Sequence, residues 1–390
     1  MRERILAASL PGNPPLLFRV VARLGLAVML TAFGLGAAAQ TIKVGEYASL
    51  QGTEASFGEM SHNGTVMAIK EINDKGGVLG KQLELLTEDD LSKPGQAKTC
   101  AEKLIARDNV VALLGEVASG RSLEAAPICQ KFKIPMISPS STNPKVTQTG
   151  NYIFRVCFVD SFQAKIIAKF ALDTLKLKNV AVLMDVGQAY SAGLAEYFKP
   201  AFTEGGGKIA IEKNYPSGGT DFRAQLTAIK AAHPDGIFVP GYYTEAGLIC
   251  RQAKELGINI PIFGGDGWES AKLVEIGGDA VEGTFFSTHF SPKQKTPAVQ
   301  EFSEKFLRRN GVEPDAMAAL GYDSAMLLAD AIKRAGTTDG AKLREALAAT
   351  KDFPGITGNI TIDKERNATK AAVFLQVKNG KFDLYETVNP

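Results

Sequence analysis

From Thr41 onward, short runs of β-branched and aliphatic residues alternate with longer stretches in which apolar positions recur at helical spacing. The runs TIKVGEY, KQLELLTEDD, VVALLGE and IPMIS read as strands, and so do YIFRVCF, VAVLMD, KIAIEKNY, GIFVPGYY, PIFGGDG and EGTFFSTHF further on. Among the helical stretches, Phe162, Ile166, Ile167, Phe170 and Ala171 mark one apolar face, and Asp160 with Gln163 forms a capping-box-like start. Strands alternating with helices predict βαβ units and parallel sheets. So many strands would be unusual in one open sheet, so two lobes are expected. After FFSTHF come longer helical patterns (AVQEFSEKFLRRNG, AMAALGYDSAMLLADAIKRAG, AKLREALAATK), then short strands with a hairpin signal at Asn379-Gly380. The predicted fold class is α/β, with doubly wound parallel sheets.

Composition changes this picture only at the N-terminus. Arg2, Arg4, Arg19 and Arg23 precede or flank the apolar run LGLAVMLTAFGLG, and Ala37-Ala38-Ala39 offers a small-residue cleavage site. Residues 1–39 therefore read as a secretory signal peptide, cleaved near Ala39, so the mature chain is expected to be exported. The apolar run is shorter than the ~20 residues of a membrane span. The leader carries four of the 44 basic and one of the 42 acidic residues, so the remainder is near neutral at −1. With no run of like charge, neither nucleic acid nor an anionic membrane surface is an expected partner.

Export puts Cys100, Cys129, Cys157 and Cys250 in an oxidising compartment. In a sheet of order 2-1-3-4-5, right-handed crossovers put the second and third helices on one face. Cys100 and Cys129 lie on those helices, which leaves two states open: a Cys100–Cys129 disulfide or two buried free thiols. No Cys-x-x-Cys pair occurs and His62, His233 and His289 are scattered, so no metal site is expected, and no cofactor either.

Parallel sheets bind ligands beyond the carboxyl ends of their strands. In the first half those ends carry Ser49, Gln51, Gly52 and Phe57, then GEVASG with Glu116 and Ser119, then ISPSSTNP with Ser138, Ser140, Ser141 and Thr142. In the second half they carry Tyr190, Tyr242, Tyr243, Asp266 and Trp268. Any one of these loops also fits ordinary turn chemistry. Together they supply hydroxyls and open backbone suited to a carboxylate, one aspartate suited to an ammonium, and aromatic walls. Catalytic signatures fail: GGVLGKQ lacks the spacing of a phosphate loop, and AYSAG has Ala189 where a nucleophile elbow has glycine. The chain is read as a binding protein, not an enzyme.

The segments GTVMAIKEINDKGGVLGKQLEL, ISPSSTNPKVTQTG, YIFRVCFVDSFQ, DVGQAYSAGLAEYF and VPGYYTEAGLICRQAKELG resemble the periplasmic solute-binding proteins of branched-chain (hydrophobic) amino-acid ABC transporters. The resemblance runs over essentially the whole chain from about residue 41. It implies a type I periplasmic binding fold: two lobes joined by three crossovers, with the ligand in the cleft between them. The first lobe would be 41–159 plus 290–367 and the second 160–289 plus 368–390. It implies an amino-acid ligand, an inner-membrane ABC permease as partner, and a monomer.

Carried over position by position, the resemblance makes Ser119 and Thr142 donors to the ligand carboxylate. Ser140 offers its backbone carbonyl to the ammonium, within a clamp of residues 140–142 that includes Ser141. Asp266 pairs with the ammonium, Tyr190 and Tyr242 close from the second lobe, and Phe57 lies over the ligand side chain. Some residues depart from a simple leucine-type site. Trp268 narrows or stacks on the pocket, Gln51 and Gln188 lie near the cleft, and Glu116 is read as facing solvent, with a polar or cationic ligand as the alternative. A non-amino-acid solute (amide, urea or carboxylate) on the same scaffold, or a periplasmic sensor, are the competing functions.

Overall fold

The alternation of strands and helices is realised in the computed structural model, which describes residues 41–389; the expected leader lies outside the described residues. The chain begins with β1 (Ile42–Ala48), α1 (Ala55–Asp74), β2 (Leu83–Asp89), α2 (Gln96–Ala106) and β3 (Leu113–Leu114). It continues through α3 (Ser119–Phe132), β4 (Met136–Ser138), the single turn α4 (Lys145–Gln148) and β5 (Ile153–Arg155). These strands form one parallel sheet in the order β2-β1-β3-β4-β5. Both faces are covered, as parallel sheets require. On β1, Ile42 and Val44 enter one core with Leu327 and Leu328, while Tyr47 enters the opposite one with Leu104 and Ile153.

The second lobe repeats the winding. It comprises α5 (Asp160–Asp173), β6 (Asn179–Asp185), α6 (Ala189–Glu204), β7 (Lys208–Tyr215), α7 (Arg223–Ala231), β8 (Gly236–Val239) and α8 (Tyr243–Glu255). Then come β9 (Ile262–Gly264), a 3₁₀ turn (Asp266–Trp268), α9 (Ala271–Gly277) and β10 (Phe285–Thr288). The order β7-β6-β8-β9-β10 mirrors the first sheet, and β14 (Ala372–Lys378) and β15 (Lys381–Val388) extend it as an antiparallel pair. Lys378 pairs with Lys381 across Asn379-Gly380, both at positive φ (53° and 67°), the two-residue turn that the dipeptide predicts.

Three helices return to the first lobe: α10 (Pro297–Asn310), α11 (Ala316–Ala335) and α12 (Gly340–Ala348). The small strands β11 (Phe353–Gly355), β12 (Gly358–Ile362) and β13 (Ala368–Thr369) follow them and pair with one another. Helices α1 and α11 cross closely enough that a Cβ on Gly64 would stand 1.9 Å from the Ala318 carbonyl oxygen. The chain thus passes between lobes after β5, after β10 and after β13.

One local expectation changes, and one pair of alternatives left open takes one of its two forms. The capping box at Asp160 and Gln163 does not form: Val159 is the residue preceding α5, and no side chain caps it. The Gln163 side chain reaches instead to Asp266 and Ser287 in the cleft, a tertiary partner that a local pattern cannot register. Cys100 and Cys129 do share one core between α2 and α3, but both are free thiols, and Cys100 Sγ donates to the Asp89 carbonyl at 3.6 Å. Among the described residues no helix is long and apolar enough to cross a membrane.

Candidate functional site

The loops after β3 and β4 meet at the carboxyl edge of the first sheet and are stitched together by serines. Ser138 Oγ donates to the Glu116 carbonyl at 2.7 Å and accepts from Ser141 N–H at 2.9 Å. The Ser141 hydroxyl lies 2.9 Å from the same carbonyl and 2.8 Å from Ser122 Oγ. Arg155, fully buried on β5, donates to the Ser141 carbonyl and, at 2.8 Å, to the Asn143 carbonyl. Those ties direct alternate groups of the loop inward. Ser140 Oγ and Thr142 Oγ1 are left buried without a hydrogen-bond partner. Ser119 opens α3, where its hydroxyl accepts from Asn143 N–H at 3.2 Å and keeps its own proton to give.

From the second lobe, Tyr190 in the first turn of α6 stacks on Tyr242, just before α8, with ring centroids 5.2 Å apart and planes within 4°. Phe57 of α1 meets Tyr242 edge-on at 5.5 Å and Tyr243 at 4.8 Å. The Tyr242 hydroxyl is buried and has no partner. Asp266, in the turn after β9, is heavily engaged: Oδ1 accepts from Gln163 at 2.7 Å and Tyr190 at 2.8 Å, and Oδ2 lies 3.2 Å from His289 Nε2. Burial holds His289 below its ordinary pKa and therefore neutral, so its Nε2–H donates to Asp266. Burial, then the Asp266 charge, pushes the Tyr190 phenol well up, so it remains a proton donor.

The lobes touch directly across the cleft. Tyr243 Oη donates to the Thr53 carbonyl at 2.8 Å, Asn143 Nδ2 to the Ala189 carbonyl at 2.7 Å, and Ser56 Oγ meets Ser270 Oγ at 2.7 Å. Gln188 Nε2 reaches Glu54 Oε1 at 3.3 Å at the edge of a cavity of about 370 Å³ that both lobes line. Burial raises Glu54 to about 7, opposed by Arg121 beside it. This is a closed arrangement.

Phe57, Tyr190, Tyr242 and Asp266 are joined by ring contacts and a hydrogen bond, Ser119, Ser140 and Thr142 lie on the two first-lobe loops that Asn143 ties to the start of α6, and four other residues are placed differently. Glu116 does not face solvent: it is 2 % exposed, with Oε1 accepting from Ser49 N–H at 3.2 Å and Oε2 from Ala118 N–H. Burial raises its pKa well above the carboxylate range, and Asp90 and Glu54 add to that. Ser141 spends its hydroxyl on first-lobe ties. Trp268 is fully buried in the second-lobe core with its ring N–H on the Val239 carbonyl at 2.9 Å, a prop beneath Asp266. Gln51 is exposed and bonds Asp89 at 2.8 Å. Sequence reasoning missed Arg155, Asn143 and His289 and took Asp160 and Gln163 for a cap; their signal is only three-dimensional. Among the described residues no group of three or more His, Cys, Asp or Glu is arranged to hold a metal.

A family model described as periplasmic binding protein matches residues 41–381. The chain is 33% identical over 350 residues, 90% of both sequences, to the leucine-, isoleucine-, valine-, threonine-, and alanine-binding protein of Pseudomonas aeruginosa. It is 32% identical over 336 residues (86% of this chain, 90% of the relative) to a Leu/Ile/Val-binding protein of Rhizobium johnstonii. The leucine binding protein LivK of Thermotoga maritima superposes with a TM-score of 0.86 at 42% identity, over 90% of this chain and 99% of that one. The substrate binding protein LivJ of Streptococcus pneumoniae, in complex with isoleucine, gives 0.85 at 34% identity, over 90% and 100%.

Proposed function

This chain belongs to the periplasmic binding protein family, and from that premise we propose that it captures a free L-amino acid with an aliphatic side chain and delivers it to an ABC permease. One observation carries the reading: acceptors and donors for both ends of a zwitterion are divided between two lobes, with Ser140 and Thr142 hydroxyls buried and unpartnered on one and Asp266 on the other. A zwitterion taken out of water needs both charges paired, because an unpaired buried ion costs several kcal/mol.

In this reading Ser119 and Thr142 donate to the ligand carboxylate, the Ser140 carbonyl and Asp266 accept from its ammonium, and Phe57 and Tyr242 cover the aliphatic part. Binding begins on the first lobe. Hinge motion at the three crossings then brings Tyr190, Tyr242 and Asp266 over the ligand. Lys370 supports such a hinge: its Nζ, buried at the third crossing, donates at 3.2 Å to the Val156 carbonyl of the first. The ligand need only bind the closed form better than the open one.

The test is thermal unfolding of protein that has been denatured and refolded to strip ligand, against L-amino acids, their des-amino acids and their amides. Leucine, isoleucine and valine should raise Tm by mass action, by the equivalent of about 2.7 kcal/mol at a hundred times Kd. Stabilisation by des-amino acids or amides alone would overturn the amino-acid reading and favour a non-amino-acid solute on the same scaffold.

A further inference from the structure

The cavity of about 370 Å³ between the lobes lies at the mouth of the cleft. Ser92 and Pro94, after β2, and Ser217 and Gly218, after β7, line it, and those are the edge strands on the side away from β5 and β10. Glu54 stands there, just ahead of α1 and 2 % exposed, with Oε1 accepting from Gln188 Nε2 of the second lobe at 3.3 Å. Its Oε2 is buried without a hydrogen-bond partner, and Arg121 Nε is 3.5 Å away.

Charge does not balance around this carboxyl. Asp90, after β2, and Glu116, after β3, share its surroundings in the first lobe, and Asp90 Oδ2 is also buried without a partner. Glu124 on α3 competes for Arg121, with Oε1 3.8 Å from Nη1. From the second lobe, Glu245 in the first turn of α8 lines the same cavity, and Asp185 stands behind it, holding Ser217 Oγ at 2.8 Å. Tyr242 and Tyr243 also face Glu54; burial, with the Glu54 charge adding to it, pushes both phenols up and keeps them neutral. Against these acids the described residues set the Arg121 guanidinium, which also donates to the Ser92 carbonyl. Burial raises Glu54 from an ordinary 4.5 to about 7; Arg121 and the Gln188 N–H oppose the rise, and Asp90 and Glu245 add to it. Part of this environment exists only when the lobes are shut, because Gln188, Tyr242 and Glu245 belong to the second lobe. Opening withdraws that cover and the Glu245 charge, and both changes favour the ionised carboxylate.

We propose that the cleft mouth is a proton-operated latch: Glu54 takes up a proton as the lobes shut, so that capture is favoured in acid and release as pH rises. The latch goes beyond the amino-acid reading, since it depends on the closing motion and not on which solute is held. Protonation removes a negative charge from between the acids of the two lobes and turns one carboxyl oxygen into a donor among acceptors. The closed form binds this proton more tightly than the open one. Closure therefore gains stability below the open-form pKa and loses it as pH rises through about 7.

The experiment is calorimetric titration of ligand-stripped wild type and Glu54→Gln with L-leucine at pH ~5.5 and ~8, in buffers of low and high ionisation heat. Wild type should bind about fivefold or more tighter in acid, since each pKa unit between open and closed forms is worth tenfold, and should take up protons near pH ~7. Glu54→Gln should lose most of the pH dependence and the proton uptake. Equal wild-type affinity at both pH values without uptake overturns the proposal. So does a Glu54→Gln variant that keeps both effects, which would assign them to another group such as Asp160. Should that variant fail to fold, Gln188→Ala decides: loss of an N–H that favours the ionised form should move the decline to higher pH, and an unmoved decline overturns the latch. No leucine binding at either pH would defeat the amino-acid reading and not the latch. Ligand-free protein should then still be more compact in acid by small-angle scattering, and an unchanged radius of gyration would overturn the latch as well.

Discussion

Closure can be attacked at a single atom. Gly193 lies in the interior of α6, and a Cβ there would stand 2.5 Å from Asn143 Nδ2, across the cleft, and 3.2 Å from Asp160 Oδ2 at the start of α5 in its own lobe. Asn143 cannot simply swing aside, because that nitrogen donates to the Ala189 carbonyl at 2.7 Å and its Oδ1 accepts from Lys145 N–H at 3.0 Å. In Gly193→Ala the closed form should lose the inter-lobe hydrogen bond, about 0.5–1.5 kcal/mol, and bear an overpacking cost of about 1–3 kcal/mol. A total near 2–4 kcal/mol corresponds to leucine binding weakened ~30-fold or more. Within the helix the same change is favourable by about 0.5–1 kcal/mol, since alanine loses less backbone entropy than glycine. The two effects have opposite signs. Calorimetric titration should therefore show a weaker ligand, while the Tm of ligand-free protein holds or rises. Leucine affinity within threefold of wild type would refute hinge closure through this contact, and a fall in ligand-free Tm would show that the methyl harms the lobe itself.

Three further outcomes follow from the same geometry. Burial pushes Asp160 up to about 8 from an ordinary 3.8, so its stabilising contribution is fully present below 3.8 and lost as pH rises through about 8; melts between pH 4.5 and 8 should show this decline, and Asp160→Asn should flatten it. Arg155→Met leaves the Ser141 and Asn143 carbonyls unpaired inside the protein, at about 1–3 kcal/mol each, so urea unfolding should shift by several kcal/mol, whereas a shift under 1 kcal/mol would deny Arg155 its hold on the loop. With Cys100 and Cys129 free and buried, reductant should leave Tm unchanged and both thiols should react with a thiol reagent only after unfolding; a mass lighter by two hydrogen atoms would instead reveal a disulfide.

Most of the fold was legible because its signals are local. Each strand is a compact apolar run between turn formers, and each long helix shows its face within a few turns. Asn379-Gly380 dictated a two-residue hairpin that is present. The assumed order 2-1-3-4-5, one of the two common doubly wound orders, is the one present, and right-handed crossovers then put Cys100 and Cys129 in one core as expected. What pattern could not supply was the redox state of those thiols, because shared burial does not by itself bring two sulfurs into bonding geometry. Nor could it detect the approach of α1 to α11 at Gly64, since the two helices are distant in sequence and nothing near Gly64 names its partner.

The site was legible where it lies at strand ends and opaque where it depends on who faces whom. Ser119, Ser140, Thr142, Tyr242 and Asp266 follow strands of parallel sheets, so topology alone points at them. Glu116 follows a strand too, yet its carboxylate turns inward to the backbone N–H groups of Ser49 and Ala118, a choice made by neighbouring loops and not by its own segment. Asp160 and Gln163 show the reverse error. Asp with Gln three residues later, ahead of an apolar face, is a sound local signature for a helix start. Here the two side chains are used otherwise: Gln163 anchors Asp266 and Ser287, and the Asp160 carboxyl has no hydrogen-bond partner. A helix that begins at a crossing between lobes presents its first-turn residues to both of them. A capping motif at a predicted hinge should therefore be read twice, once as a helix start and once as a candidate for tertiary contacts, and the absence of the capping hydrogen bond tells the two apart.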